Sequence, residues 1–203
     1  MKAAGIHQAE SPSEWVVRWS HLVKPQGSVL DVACGYGRHA YYFHKQNHPV
    51  ALVDRAQAAI ESIAIEALAC EKVVADIENG PWPFVGRQFD AVVVTNYLWR
   101  PLMPTLLASL APSGVLIYET FAQGNETVGK PSRPDFLLRS AELLDICRGL
   151  RVVAFEEGYA ANADGANARF VQRIAAVQEE LALPPSGVPK RYRLLECGAK
   201  NPA

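Results

Sequence analysis

Several scarcities in this sequence narrow its function before any motif does. The four cysteines, Cys34, Cys70, Cys147 and Cys197, stand far apart and show no Cys-x-x-Cys spacing. That excludes a zinc-ribbon pattern or a small disulfide framework and leaves reduced thiols in a cytoplasmic protein as the expectation. No metal site is expected. Long hydrophobic runs are missing too: none reaches the roughly eighteen residues of a membrane-spanning helix. The opening MKAAGIHQAESPSEW lacks the apolar centre of a secretory signal, so none is expected. Charge of one sign is not in excess, with 20 Lys and Arg against 21 Asp and Glu. A net charge of −1 supplies no strong non-specific attraction to nucleic acid or an anionic membrane. Internal repeats and low-complexity tracts are also absent.

What is there suits one domain of 203 residues, 49% hydrophobic and 20% charged, large enough for a three-layer core. The stretch VLDVACGYGRHA, Val29 to Ala40, organises the chain. It reads as a short apolar strand, a glycine turn and the start of a helix. Gly35 and Gly37 permit positive φ and carry no Cβ to obstruct a ligand approaching the backbone. The helix that follows turns its free N–H groups toward the same place, so the turn suits a nucleotide-like ligand. Gly-x-Gly-x-x-Ala alone also fits a dinucleotide fingerprint. Asp31 discriminates: a carboxylate at the strand end repels a pyrophosphate and favours a ligand with a cationic amino group.

DVACGYG resembles motif I of the class I S-adenosylmethionine-dependent methyltransferases. The resemblance implies that Asp31 and the glycine turn hold the methionine portion of S-adenosylmethionine. Ala33, Cys34, Gly35, Gly37 and Arg38 are then the cofactor-binding residues there, while Tyr36 and His39 fit a solvent-facing helix start equally well. It also implies an α/β fold: a Rossmann-like, seven-stranded, mostly parallel sheet with a C-terminal antiparallel hairpin and helices on both faces.

Along the chain, Ser11-Pro12-Ser13-Glu14 starts a helix with Ser11 or Ser13 as N-cap. Trp15, Val16, Trp19, Leu22 and Val23 share a face that covers the sheet edge, or else Trp15 or Arg18 reaches the cofactor. Pro49 to Asp54 is a second strand, and Asp54 lies seventeen residues beyond Gly37. An acid there meets ribose hydroxyls in a βαβ unit, with Arg55 next to it. A helix is expected over about 56–68, then a third strand, Lys72 to Ala75, closed by Asp76. Ala75-Asp76-Ile77-Glu78 resembles the family's third motif, which implies Asp76 on the adenine amino group and Ile77 against the ring. Trp82 and Phe84 of PWPF are packing residues. Ala91 to Thr95 is a β-branched strand buried on both faces.

Thr95 and Asn96 follow as cofactor neighbours at the carboxyl edge, and Tyr97 and Trp99 as pocket wall or core. The loop is not the Asn-Pro-Pro-Tyr type of amino-directed nucleic-acid methyltransferases. A helix over 101–110 and a tight turn at Ala111-Pro112-Ser113-Gly114 lead to a fifth strand, Val115 to Phe121. LAPSGVLIYE is similar to the family's motif V region. Glu119, an acid at or near the strand end, is a candidate base or substrate anchor, or else a hydrogen-bonded loop acid. The polar loop AQGNETVGKPSRP, 122–134, is long enough to be functional, with Asn125, Glu126, Lys130 and Arg133 as candidate contacts. YETF, GNE and GKPSRPDFLL together resemble methyltransferases of the tellurite-resistance type. Asp135 to Arg148 reads as a helix with Leu137, Leu138, Leu143 and Leu144 inward. Two strands, Val152 to Tyr159 and Ala168 to Val177, close the domain across ANADGAN. A standard NAD-binding domain ends on a parallel strand instead. The tail from about Leu183 is irregular, with Lys190, Arg191, Tyr192 and Arg193 in solvent.

The sequence therefore divides into a helical segment 1–27, a cofactor core 28–121, a substrate loop, helix and hairpin 122–180, and a tail 181–203. The expected activity is in-line methyl transfer from S-adenosylmethionine to a small-molecule acceptor, leaving S-adenosylhomocysteine. Asn96, Tyr97 and Glu119 are the catalytic candidates; Tyr97, Trp99, Glu119, Asn125, Glu126 and Arg133 are the substrate candidates. A base is needed only when the nucleophile must lose a proton early, so the lack of an evident acid–base pair is compatible with this chemistry. An RNA or protein methyltransferase would join the tail and the 122–134 loop in one basic surface. A nicotinamide-dependent oxidoreductase would bind NAD, and a non-catalytic module would close the space beyond the methyl group.

Overall fold

The computed structural model describes residues 11–66, 69–161, 165–179 and 188–194. Its strands are β1 (Val29–Val32), β2 (Val50–Asp54), β3 (Cys70–Val74), β4 (Phe89–Thr95), β5 (Leu110–Phe121), β6 (Arg151–Ala160) and β7 (Arg169–Val177). They form one sheet in the order β3-β2-β1-β4-β5-β7-β6. All neighbouring pairs are parallel except those of β7, which runs antiparallel to β5 and β6. The helices are α1 (Glu14–Trp19), α2 (Arg38–His44), α3 (Gln57–Ser62), α4 (Met103–Ala108) and α5 (Glu142–Ile146).

Strand periodicity builds both faces of the sheet, because successive side chains point to opposite sides. Leu30, Val32, Val53, Val92, Val94, Leu116 and Tyr118 pack against Leu106 of α4 and Leu143 of α5. Val29, Val50, Leu52, Val93, Val115 and Ile117 pack against Trp15 and Trp19 of α1, Phe43 of α2 and Ile60 of α3. Each such side chain contributes about 1.5–3 kcal/mol relative to exposure. Phe84 is buried and Trp82 meets it edge-on at 5.5 Å, as packing residues should. Ser13 is the N-cap of α1, its hydroxyl accepting from the Trp15 N–H at 3.1 Å. From β1 the sheet grows one way through β2 and β3 and the other way through β4 and β5. The strand ends at that reversal are where open α/β sheets bind ligands.

Some expected elements are shorter than the apolar pattern suggests. The helix over 56–68 stops at Ser62, because Ile63 and Ile65 are both buried and only an extended chain turns alternate residues inward; 67–68 lie outside the described residues. The turn at 111–114 is an irregularity within β5, where Ser113 takes φ +65° and its N–H donates to the Gln178 carbonyl at 2.7 Å. The helix over 135–148 splits into a short turn at Pro134–Phe136, an extended crossing and α5. Leu138 pairs with the end of β5, its N–H donating to the Phe121 carbonyl at 2.9 Å, and Leu144 is exposed rather than inward.

Arg100 explains the split. Its guanidinium donates to the Asp135 and Leu137 carbonyls, both at 2.9 Å, taking acceptors that a continuous helix would have used. The same group holds Glu142 at 2.7 and 3.0 Å. Burial raises the Glu142 carboxyl, but hydrogen bonds from Arg100 and the Arg139 N–H overcome it and hold the pKa at about 2. Arg100→Ala is expected to cost about 2 kcal/mol in urea unfolding, below the full buried-pair value because Arg100 is part exposed. In the wild type this contribution is complete above the ordinary glutamate value of 4.5 and is lost as pH falls toward about 2. An acid titration of R100A should lack that component.

Tail residues 188–194 lie at the amino edge of the sheet. The Tyr192 hydroxyl donates to Glu179, and Lys190 reaches Ser113 Oγ at 3.4 Å. The 122–134 loop leaves the opposite edge, so the two do not form one surface. Cys34, Cys70 and Cys147 are free and buried, and Cys197 lies outside the described residues. No described helix is long and apolar enough to cross a membrane.

Candidate functional site

The glycine turn begins with Ala33 at φ +53°, followed by Gly35 at +54° and Gly37 at +75°. Such a run of left-handed residues reverses the chain between β1 and α2 within a few positions. A Cβ added at Gly37 would lie 2.7 Å from Ile63 Cδ1, whereas one at Gly35 would meet nothing within 4 Å. Gly37 thus serves close packing, and Gly35 leaves open room above the turn. Asp54 at the end of β2 fixes the turn's position: one carboxylate oxygen accepts from the Gly35 N–H and the other from the Ala56 N–H, each at 2.8 Å.

Along the carboxyl edge runs a cleft of about 360 Å³. Ala33, Asp54, Arg55, Asp76, Ile77, Asn96 and Tyr97, all named from the sequence, line it. So do Ala75, Glu78, Leu98, Thr120, Phe121, Pro131 and Phe136, which sequence reasoning passed over. Asp54, Asp76 and Glu78 give the cleft three carboxylates against the single guanidinium of Arg55. Asp76 is held by its own turn, accepting from the Glu78 N–H at 3.0 Å, the Asn79 N–H at 3.1 Å and Asn79 Nδ2 at 3.0 Å. The Asn79 side chain and those backbone donors keep its carboxyl below the usual range. Asn96 stands at φ +55° with its N–H on the Glu119 carbonyl at 2.9 Å. Burial, with the Glu78 charge added, pushes the Tyr97 hydroxyl up, so it stays protonated and is no base.

Asp31 lies buried beneath the turn. Its Oδ2 has no hydrogen-bond partner among the described residues, and Oδ1 is 3.9 Å from Nδ1 of buried His39. Burial lifts the Asp31 carboxyl to about 7, an effect that the Ala40 N–H and Arg38 oppose and Asp54 reinforces. Burial, then Arg38, pushes His39 down to about 3, so the ring is neutral and offers Asp31 no counter-charge. Its Nε2 accepts from the Ser13 N–H at 3.2 Å. Burial likewise raises the Cys34 thiol, which is therefore not a thiolate. Arg38 reaches Thr95 Oγ1 at 3.4 Å beside the turn.

The other candidates have structural partners. Trp15 Nε1 donates to the Ile174 carbonyl at 3.2 Å and Arg18 pairs with Glu156 at 2.9 Å, so both belong to the sheet and not to the cleft. Trp99 packs on the core. Glu119 is buried, with Oε1 accepting from Ser13 Oγ at 3.0 Å and Oε2 paired to Arg173 Nε at 2.5 Å, so it is not a free base. Asn125 is clamped between the Pro131 carbonyl at 2.9 Å and the Phe170 N–H at 3.1 Å. Glu126 accepts from the Gly124 N–H at 2.8 Å, and exposed Arg133 pairs with Asp135 at 3.0 Å. The loop presents Pro131 to the cleft, joined there by Phe136 of the turn that follows, while the loop's polar side chains hold its own shape or face solvent. No group of His, Cys, Asp and Glu among the described residues could hold a metal ion.

Residues 29–114 match a family model described as a methyltransferase domain. Among solved structures, the chain superposes on TehB from Haemophilus influenzae with a TM-score of 0.70 at 16% identity, covering 85% of this chain and 64% of that one. It thus spans less than two thirds of the TehB chain. An S-adenosylmethionine-dependent methyltransferase from Mesorhizobium loti aligns with a TM-score of 0.64 at 14% identity, over 85% of this chain and all of that one. Coclaurine N-methyltransferase, solved with N-methylheliamine and S-adenosylhomocysteine, aligns with a TM-score of 0.60 at 14% identity, over 80% and 70% of the two chains. No curated protein sequence matches the chain. Residues 29–114 thus match a methyltransferase-domain model, and the chain has the fold of the S-adenosylmethionine-dependent methyltransferases.

Proposed function

We propose that the protein transfers a methyl group from S-adenosylmethionine to a small-molecule acceptor, with the cofactor in the carboxyl-edge cleft. The observation that carries this is the charge pattern. Asp31 is a buried carboxylate with an unpartnered oxygen at the turn, and Asp54, Asp76 and Glu78 line the adjoining cleft. That environment suits an ammonium group and a neutral nucleoside and opposes the pyrophosphate of NAD. Residues and cofactor fit. Asp31 would draw the ammonium of the methionine portion, with Arg38 near its carboxylate. Asp54 would accept from the ribose hydroxyls and Asp76 from the adenine amino group, with Ile77 against the ring. Once bound, the cofactor supplies a methyl carbon activated by positive sulfur.

Catalysis then consists of alignment and exclusion of water. Held in the cleft, the cofactor would give its methyl carbon to a lone pair of the acceptor and keep the carbon–sulfur electron pair on sulfur. Any proton the acceptor carries passes to solvent. Tyr97, Leu98, Phe121 and Phe136 wall the cleft and would limit the access of water to a cofactor bound there. Glu119, Asn96 and Tyr97 are assigned no proton transfer: Glu119 is ion-paired and Tyr97 stays protonated. Among the described residues, 188–194 and the 122–134 loop lie at opposite edges of the sheet and form no continuous basic face, which favours a small acceptor over RNA or protein.

Calorimetric titration with S-adenosylmethionine, S-adenosylhomocysteine and NAD tests the reading. The first two should bind at micromolar Kd and NAD should not. Asp54→Ala, which also frees the Gly35 N–H, should weaken binding at least tenfold, and exposed Asp76→Ala about threefold to tenfold. Binding of NAD without the methionine nucleosides would overturn it.

A further inference from the structure

A second hollow, of about 530 Å³, adjoins the cleft, with Phe121 lining both. It lies between the carboxyl end of β5, the start of β7, the start of α2 and the segment before α1, and its lining includes Ser13, Arg38, Glu119, Arg169 and Arg173. Antiparallel register explains the arginines. Glu119 opposes Arg173 and Phe121 opposes Val171, so Arg169 and Arg173 project from the face that carries Glu119 and Phe121.

The charges in this hollow are unequally committed. Arg173 is held by Glu119 at 2.5 Å and by Glu156 at 3.3 Å, and Glu119 also accepts from Ser13. Those acids are thus already spent on Arg173 and the capping segment. The remaining carboxylate in the lining, Glu14, is exposed at the mouth. The side chain of Arg169, half-buried at the first position of β7, makes no hydrogen bond or ion pair among the described residues. A partly desolvated guanidinium in a cavity has its bidentate donor fork available, and a carboxylate matches that fork in charge and shape.

We propose that this hollow is the acceptor subsite and that it takes a small carboxylic acid, with the carboxylate seated on Arg169. The proposal rests on the cofactor reading of the adjoining cleft. A carboxylate anchor also suits a site without a free base, since the anchor orients the acceptor and leaves the proton balance to its nucleophile.

The test uses the full chain, isotopically labelled and saturated with S-adenosylhomocysteine. It is titrated by NMR with straight-chain and aromatic mono- and dicarboxylates of three to nine carbons, each beside its neutral amide. At least one acid should bind and shift the backbone amides of 167–173, with its amide at least tenfold weaker. Arg169→Ala should weaken that acid at least tenfold and Arg169→Lys less than Arg169→Ala. Neither variant should change S-adenosylhomocysteine affinity by more than about twofold. Normal S-adenosylhomocysteine binding with no acid at the hollow, or acid and amide binding alike, would overturn the acceptor assignment alone. Failure of S-adenosylhomocysteine to bind would overturn the cofactor reading and this proposal with it. A thermal melt of each variant separates loss of the site from loss of the fold.

Discussion

Asp31→Asn is expected to bind the cofactor at least tenfold more weakly and yet to be the more stable protein at pH 8. The two effects share one cause. Asp31 is buried with Oδ2 unpartnered among the described residues, and its neighbour His39 is neutral. Burial, which outweighs the help from Ala40 and Arg38, raises its carboxyl from 3.8 to about 7. The folded protein therefore holds a proton between those values that the unfolded chain has released. Stability falls as pH rises through that window, and the deficit is complete above about 7. At roughly 1.4 kcal/mol per unit, the deficit is on the order of 2–4 kcal/mol, with the lower end allowing for relaxation of the buried site. Asparagine has nothing to ionise and escapes it. Urea unfolding of both proteins at pH 5 and pH 8 checks this: the gap should open at the higher pH. Binding moves the other way, because an ammonium ligand needs the ionised carboxylate. Wild-type affinity for S-adenosylhomocysteine should rise several-fold between pH 6 and 7.5 with release of a proton on binding. D31N should show neither. A variant less stable at pH 8, with unchanged affinity, would remove Asp31 from the site.

The sheet was legible because its information is local. The first three strands are short and carry Asp31, Asp54 and Asp76 at or just beyond their carboxyl ends, and the closing pair alternates across a turn. The acids could be ordered around a cleft without coordinates, since parallel strands bring their carboxyl ends to one edge. Asp135 to Arg148 failed for the opposite reason. Its leucines have helical spacing, but Arg100, far away in the chain, takes the Asp135 and Leu137 carbonyls and Leu138 pairs with β5. Long-range partners of that kind leave no mark on periodicity. The same blindness affected the loop at 122–134. Polarity singled out Asn125, Glu126 and Arg133, whereas Pro131 and Phe136 line the cleft. Polar side chains in this loop satisfy its backbone, as Asn125 does with the Pro131 carbonyl and the Phe170 N–H, and apolar Pro131 is left to line the cleft. Glu119 looked like a base because its partner Arg173 lies fifty-four residues later and meets it only through the β5–β7 register.

Gly35→Ala and Gly37→Ala, two residues apart in the same turn, should fail in opposite ways. Both positions hold positive φ, +54° and +75°, so either alanine meets a left-handed backbone penalty of about 1 kcal/mol. Their surroundings then separate them. At Gly37 the new methyl would sit 2.7 Å from Ile63 Cδ1 and 3.1 Å from Ile63 Cγ1. Ile63 is itself buried, so the clash adds overpacking of about 1–3 kcal/mol. The denaturation midpoint of Gly37→Ala should drop accordingly, by about 2–4 kcal/mol in all. At Gly35 the methyl meets no protein atom within 4 Å, so only the backbone penalty remains and the fold survives. That methyl instead occupies the open room above the turn, where the methionine portion is proposed to approach the backbone. Gly35→Ala should therefore unfold within about 1 kcal/mol of wild type while losing at least tenfold in S-adenosylhomocysteine affinity by calorimetry. Normal affinity in a stable Gly35→Ala would mean that the ligand does not cross the turn, and the cofactor's methionine end would have to be sought elsewhere along the cleft. The contrast between neighbours makes the measurement informative: strain is common to both, so any difference in binding per unit of lost stability reports the space above Gly35 and not the turn's conformation.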